Sequence, residues 1–280
     1  MPLRVSTIAF LNPAPLLYNF EHEPTATALR EHYDVHYTSP AICAAELNSG
    51  TADLGLIPIA SLTPELAIVP GCAIASLDEV RSILLLVKNP DWLSPGEALK
   101  QVHTVATDTA SRSSVTYTRI LFEHFHHTYP TFLDFPADLA TMLPSSDAAL
   151  LIGDPALLQS QSHPDYGFHD LAAFWRARTG LPFVFAFWAI RKSAAAESDI
   201  AAAQVIEDFQ HSRDRGLANL DHLVSEWGKR IALPPEIIRA YWTENIHYTL
   251  DPACLEGLGL FYRYAAECSA LPPAPALDIL

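Results

Sequence analysis

Thr104-Val105-Ala106-Thr107-Asp108-Thr109-Ala110-Ser111-Arg112-Ser113-Ser114-Val115-Thr116-Tyr117-Thr118-Arg119-Ile120-Leu121-Phe122 begins as a β-branched run and ends with helical periodicity. Val115, Thr118 or Arg119, and Phe122 recur at the spacing of one helical face. Between the two patterns lies a turn of small hydroxyl side chains, in which Ser111, Ser113 and Ser114 are all candidate N-caps. A strand running into such a helix start presents unpaired backbone N–H groups where the helix dipole favours an anion. Arg112 adds a forked cation at the same place. Two readings fit. Thr107, Thr109, Ser111, Arg112, Ser113 and Ser114 form a cradle for a carboxylate or phosphate, or the stretch is an ordinary capped helix with a surface arginine. Either way it is a strand-turn-helix unit, and that sets an α/β class.

Outward from this unit the same alternation repeats. Toward the N-terminus, Leu3–Phe10 reads as a buried strand that enters the turn Leu11-Asn12-Pro13-Ala14-Pro15, with a helix starting near Pro15. Asn12 stands at the end of that strand, either supporting the turn or facing a ligand. Val35–Thr38 is a second strand, followed by a helix capped by Ser39-Pro40 and ended by Gly50. Asp53–Pro58, Ala73–Leu77 and Val80–Val87 read as further strands, the last interrupted by Ser82, a buried hydroxyl that needs a hydrogen-bond partner or a ligand. Toward the C-terminus come a strand at Thr131–Phe135 and another at Ala148–Ile152. The second leads through Gly153-Asp154-Pro155 into a helix that Asp154 either caps or leaves for a cleft. Leu181–Arg191 is an aromatic-rich return strand, and the remainder is helical. Breaks at Asn89-Pro90 and after Ile190 predict two α/β lobes, residues 1–88 plus 191–280 and residues 89–190, with a ligand cleft between them.

Composition narrows the partners. The chain has 280 residues, half of them hydrophobic, and carries a net charge of −15. That charge argues against nucleic acid and anionic membrane, and requires local groups to draw in any anionic ligand. No apolar run approaches the ~20 residues of a membrane span, and the first residues lack the pattern of a signal peptide. Cys43, Cys72, Cys254 and Cys268 form no Cys-x-x-Cys pair, which fits free thiols in a reducing cytoplasm. There is no P-loop, dinucleotide fingerprint or Gly-x-Ser-x-Gly elbow. His124, His126 and His127 are poorly spaced for a helical metal pair, and no metal is expected. A monomer or homodimer acting on a small anionic molecule fits these limits.

Six ordered motifs carry a resemblance. They are Phe10-Leu11-Asn12-x-x-Pro15-Leu16, Ala52–Pro58, Val80-Arg81-Ser82, Asp108-Thr109-x-Ser111-Arg112-x-Ser114, Ile152–Leu157 and Leu181–Ala186. Together with Tyr248-Thr249-Leu250 and Leu255-Glu256-Gly257-Leu258 they resemble the chorismate dehydratase family of the futalosine route to menaquinone. The resemblance implies a two-lobed fold like type II periplasmic binding proteins, in a cytoplasmic, cofactor-free lyase that converts chorismate to 3-[(1-carboxyvinyl)oxy]benzoate. It also implies functional roles for Asn12 and Ser82; beside them, Thr107, Thr109, Ser111, Arg112, Ser113 and Ser114 are assigned to a substrate carboxylate, and Gly153 and Asp154 complete the expected substrate-binding set. Phe10 departs from the tyrosine that many members carry there.

The implied chemistry suits a sparse site. The hydrogen at C3 of chorismate is vinylogous to the ring carboxylate, and loss of the C4 hydroxyl makes the ring aromatic. The driving force lies in the product, so the protein has to orient the substrate and stabilise charge. Two alternatives stand beside this reading. One is the sister 1,4-dihydroxy-6-naphthoate synthase, which is expected to carry a His-Glu pair where this chain has Gly153-Asp154. The other is a non-catalytic small-anion binding protein.

Overall fold

Residues 2–89, 91, 93–108, 112–159, 166–273 and 276–280 are described by the computed structural model. They form two compact units, one of residues 1–75, 184–252 and 275–280, the other of residues 76–183 and 253–274.

The first unit is built on a five-stranded sheet of β1 (Leu3–Ile8), β2 (Tyr33–Thr38), β3 (Leu54–Pro58), β4 (Leu66–Ser76) and β10 (Phe183–Arg191), ordered β2-β1-β3-β10-β4. β1 runs parallel to β2 and β3, whereas β10 is antiparallel to β3. The second unit repeats this order with β5 (Ile83–Lys88), β6 (Thr104–Asp108), β7 (Thr131–Phe135), β8 (Ala148–Ile152) and β9 (Tyr166–Asp170), as β7-β6-β8-β5-β9. Here β6 is parallel to β7 and β8, and β5 is antiparallel to both β8 and β9. Each sheet thus takes four strands from its own stretch of chain and a fifth, antiparallel one from a crossover.

Helix boundaries follow their local signals. Ser39 accepts the Ile42 N–H at the start of helix Pro40–Ser49, which Gly50 ends at φ +79°. Ser94 and Glu97 form a capping box on helix Pro95–Lys100. The helix expected near Pro15 is a 3₁₀ turn, Ala14–Leu17, followed by the short helix Tyr18–Glu21. The helix that carries the Val115, Thr118 and Phe122 periodicity changes to π winding over Leu121–His126 and stops at His127, φ +55°. The sequence does not mark strand β9, whose Tyr-Gly-Phe-His-Asp stretch has neither a continuous apolar run nor strict alternation.

The first unit's core is an aromatic cluster. Phe209, from helix Ala202–Ala218, packs on Phe20, Tyr33 and Trp188 at centroid distances of 4.9, 5.7 and 4.8 Å. In the second unit, Leu84, Leu86, Ala106, Ala149 and Leu151 of the sheet meet Leu139, Met142, Leu143 and Ala156 of the covering helices.

The unit boundaries differ from the sequence expectation in three places. The first crossover falls at 75/76 rather than after residue 88, because β5 pairs with β8 and β9 of the second sheet. The second falls at 183/184 rather than 190/191, because β10 joins β3 in the first sheet. Residues 253–274 also belong to the second unit. Helix Pro252–Glu267 sets Phe261 edge-on to Phe183 at 5.5 Å and stacks Tyr264 on His124 at 3.9 Å.

One close approach in the first unit is testable. Gly216 of helix Ala202–Ala218 lies against the Pro15 backbone, and a Cβ there would sit 2.1 Å from the Pro15 oxygen. Gly216→Ala is expected to destabilise the protein by about 2–3 kcal/mol, the upper end of overpacking costs. The shift in denaturant midpoint measures it, and an unchanged midpoint would mean that the crossing can open without cost.

Candidate active site

The described sequence-predicted residues of the second unit, Ser82, Thr107, Arg112, Ser113, Ser114, Gly153 and Asp154, stand toward one edge of its sheet. That edge holds the C-terminal ends of β6, β8 and β9 and the start of β5, as the pairs Thr107↔Leu150, Ile83↔Ile152 and Leu84↔Asp170 establish. In open α/β sheets, ligands bind outside the carboxyl ends of strands.

Ser82 is buried there, but not inside a strand. β5 starts at Ile83, and Val80-Arg81-Ser82 is a turn with Arg81 at φ +62°, a conformation that a strand cannot hold. Asp170 holds this turn. Its carboxylate accepts the Val80 N–H at 3.0 Å and the Arg81 N–H at 2.6 Å. It also accepts the Ala172 and Ala173 N–H groups at 2.9 and 3.0 Å, capping helix Leu171–Thr179. Burial pushes its pKa up, against the N–H bonds that pull it down. The Ser82 carbonyl in turn accepts the Gly153 N–H at 2.8 Å, which brings Ser82 and the Gly153-Asp154 turn together. Gly153 sits at φ +63° and opens helix Gly153–Leu158. Asp154 therefore lies in the first turn of that helix and is not its N-cap.

Thr107 is buried in β6 and donates its hydroxyl proton to the Leu133 carbonyl at 3.3 Å. Helix Arg112–Ile120 opens at Arg112, so Ser113 and Ser114 are buried first-turn residues and not N-caps. Arg112 itself is exposed, with no ion-pair partner among the described residues. Thr109 and Ser111 lie outside the described residues.

Asn12 belongs to the first unit, four residues past the end of β1. Its turn is held by two aromatic side chains from far along the chain. Trp242 Nε1–H donates to the Leu11 carbonyl at 2.9 Å, and the Tyr248 hydroxyl donates to the Asn12 carbonyl at 2.7 Å. Burial raises the Tyr248 pKa well above its ordinary value, which keeps the donating proton in place. The Asn12 backbone is thereby fixed, while its buried Oδ1 has no partner among the described residues. A buried amide oxygen in that state is poised for a ligand donor.

Sequence reasoning missed Asp170, Trp242 and His169. Asp170 carries a readable signal, an aspartate directly before a helical run, but nothing local marks its reach to Val80. His169, next to it, is buried with Nε2 unpartnered among the described residues, and burial lowers its pKa to about 4. A histidine so weakly basic is a poor proton acceptor near neutral pH.

The chain matches the protein family described as menaquinone biosynthesis over residues 3–267. It is 28% identical to a chorismate dehydratase from Thermus thermophilus over 264 residues, covering 88% of this chain and 90% of that one. Among solved structures, a protein from Archaeoglobus fulgidus superposes with a TM-score of 0.69 at 16% identity, covering 96% and 97% of the two chains. The periplasmic aliphatic sulphonate binding protein of Escherichia coli superposes at 0.67 and 19%, covering 99% and 95%. A Candida albicans protein, described as having the generic periplasmic binding protein fold, superposes at 0.62 and 11%, covering 99% and 93%. The two-sheet α/β architecture expected from the sequence is therefore the periplasmic-binding-protein-like fold. Among the described residues, no helix is long and apolar enough to cross a membrane.

Proposed function

Because the chain belongs to the menaquinone biosynthesis family, we propose that it is a chorismate dehydratase, a hydro-lyase that converts chorismate to 3-[(1-carboxyvinyl)oxy]benzoate and water. The observation that carries this reading is the strand-end turn of the second unit. There Asp170 holds Arg81 at φ +62°, and the Gly153 N–H holds the buried Ser82 beside the Gly153-Asp154 turn. Such strain persists only where surrounding contacts over-determine it, and it collects at working sites.

In the proposed mechanism Ser82 and Asn12 hydrogen-bond the reacting edge and the departing C4 hydroxyl. The start of helix Arg112–Ile120, with Arg112 and the neighbouring hydroxyls of Ser113 and Ser114, receives a substrate carboxylate, while the Thr107 hydroxyl, donated to the Leu133 carbonyl, supports the strand that leads into it. Gly153 and Asp154 line the same edge. Proton removal from C3 falls to the substrate's own side-chain carboxylate, since the sequence offers no clear alternative base. The Gly153-Asp154 dipeptide, where a His-Glu pair is expected of the sister naphthoate synthase, favours the dehydratase. The buried free thiols of Cys43, Cys72 and Cys254 are consistent with a reducing cytoplasm as the working compartment.

Incubation of EDTA-treated protein with chorismate, followed by mass detection, tests the reading. A product lighter by one water supports it. Intact chorismate with tight binding still measurable would overturn it in favour of a small-anion binding protein. Arg112→Ala is expected to raise KM by about 10- to 100-fold with a smaller change in kcat, as loss of one charge-assisted pair does. Unchanged kinetics would return Arg112 to the role of a surface residue.

A further inference from the structure

A second cluster lies in the first unit and shares no residue with the set assigned to chorismate. It lines a cavity of about 900 Å³, walled by Glu21, Tyr37, Arg30 and Lys229 among others, and consists of His22, His222 and Glu226. His22 Nδ1 lies 3.0 Å from the Tyr18 carbonyl, a contact it can make only as an N–H donor. That bond leaves Nε2 as the second ring nitrogen, and Nε2 stands 2.9 Å from Glu226 Oε2. With a neutral ring, two lone-pair-bearing atoms face each other at that distance, and a positive charge must reconcile them.

The rest of the cluster is arranged for a metal ion to supply that charge. His222 precedes Glu226 by one turn of helix Leu220–Trp227, and its ring lies 4.8 Å from that of His22. One donor atom from each of the three residues falls within 4.8 Å of the others. Tetrahedral bonds of about 2.0–2.1 Å place ligand atoms about 3.3 Å apart, so a small rotation of the exposed His222 completes the set. The outer contacts orient these ligands. The Tyr18 carbonyl fixes the tautomer of His22, and the Tyr18 ring stacks on it at 4.4 Å. The Tyr18 hydroxyl lies 3.3 Å from His222 Nδ1, and Arg230 engages the other oxygen of Glu226.

We propose that His22, His222 and Glu226 form a binding site for a zinc-like transition-metal cation, with a fourth position open to the cavity. Two imidazoles and one carboxylate select zinc, nickel or copper over magnesium and calcium, which prefer all-oxygen sets. The bound ion ties the segment Tyr18–His22 to a helix 200 residues later in the chain and stabilises the folded first unit.

Metal-stripped full-length protein titrated with zinc chloride by calorimetry tests the site. One zinc ion per chain is expected, with a Kd on the order of micromolar and no binding of magnesium. At 100-fold excess over Kd the melting temperature rises by about 5 °C. His222→Ala, at an exposed position where folding is unaffected, weakens zinc binding at least about 10-fold, as does Glu226→Gln, and cobalt substitution yields the intense visible bands of a tetrahedral site. His211→Ala, which removes the exposed His211–Glu207 pair, leaves binding unchanged. Absence of zinc binding at about 100 µM, or equal affinity in His222→Ala, would overturn the proposal and reduce the cluster to a His22–Glu226 ion pair. The readout is binding, so it is independent of whether the protein dehydrates chorismate.

Discussion

Asn12→Ala and Ser82→Ala are each expected to lower kcat by about 10²-fold or more, with stability changed by no more than about 1 kcal/mol. The expectation rests on what holds each residue. The Asn12 turn is fixed through its backbone, by Trp242 on the Leu11 carbonyl and Tyr248 on the Asn12 carbonyl. Truncating the side chain leaves both bonds in place, so the loss falls on what the amide does for the substrate. Ser82 is likewise held through its carbonyl, by the Gly153 N–H, and its turn is held by Asp170. A preorganised donor aimed at developing charge acts mainly on the transition state, and its loss appears in kcat more than in KM. Steady-state kinetics on both variants, with thermal melts alongside, decide the matter. A kcat within threefold of the parent would remove either residue from the reacting edge. A collapse in melting temperature would instead show a structural role.

Asp170→Ala should have the opposite signature, a large loss of stability together with activity. Its carboxylate accepts N–H groups from Val80, Arg81, Ala172 and Ala173. Removing it abolishes a helix N-cap, worth about 1 kcal/mol, and orphans donors that cost about 1–3 kcal/mol each where they are buried. A total loss of about 2–4 kcal/mol is expected. The left-handed conformation of Arg81 also loses its support, so the Val80-Arg81-Ser82 turn relaxes and Ser82 moves. Asp170→Asn should recover only part of the loss, because its NH₂ group would face donors rather than acceptors. Denaturant melts measure the stability, and chorismate turnover measured under folding conditions reads the displacement of Ser82. A variant that keeps both parental stability and parental kcat would show that the turn stands without the carboxylate.

The two largest expected effects thus fall on residues of different legibility. Asn12 and Ser82 are readable in the chain because each is a polar residue next to an apolar strand pattern, within motifs that resemble a known family. Asp170 is not readable in its main role, because its reach to Val80 spans 90 residues. The placement of Ser82 inside a strand shows the same limit. Val80–Val87 has the composition of a buried strand, and only a carboxylate from elsewhere bends its first three residues into a turn.

What the sequence by itself determined is what is encoded within a few neighbouring residues. Ser39 and Gly50 bound one helix, Ser94 and Glu97 start another, and the run Ala148–Ile152 ending at Gly153 places a strand and its turn. Alternation of such units makes the chain α/β. The tertiary structure decided which strand completes which sheet, with β5 in the second and β10 in the first, and where helix Pro252–Glu267 packs. It also decided that Trp242 and Tyr248 hold a turn 231 and 236 residues away, and that His22 meets Glu226 across 204 residues. The physical reason is one of range. Caps, turns and periodicity are satisfied by the backbone groups of adjacent residues, whereas sheet membership and side-chain clamps depend on packing between segments that only the folded chain brings together.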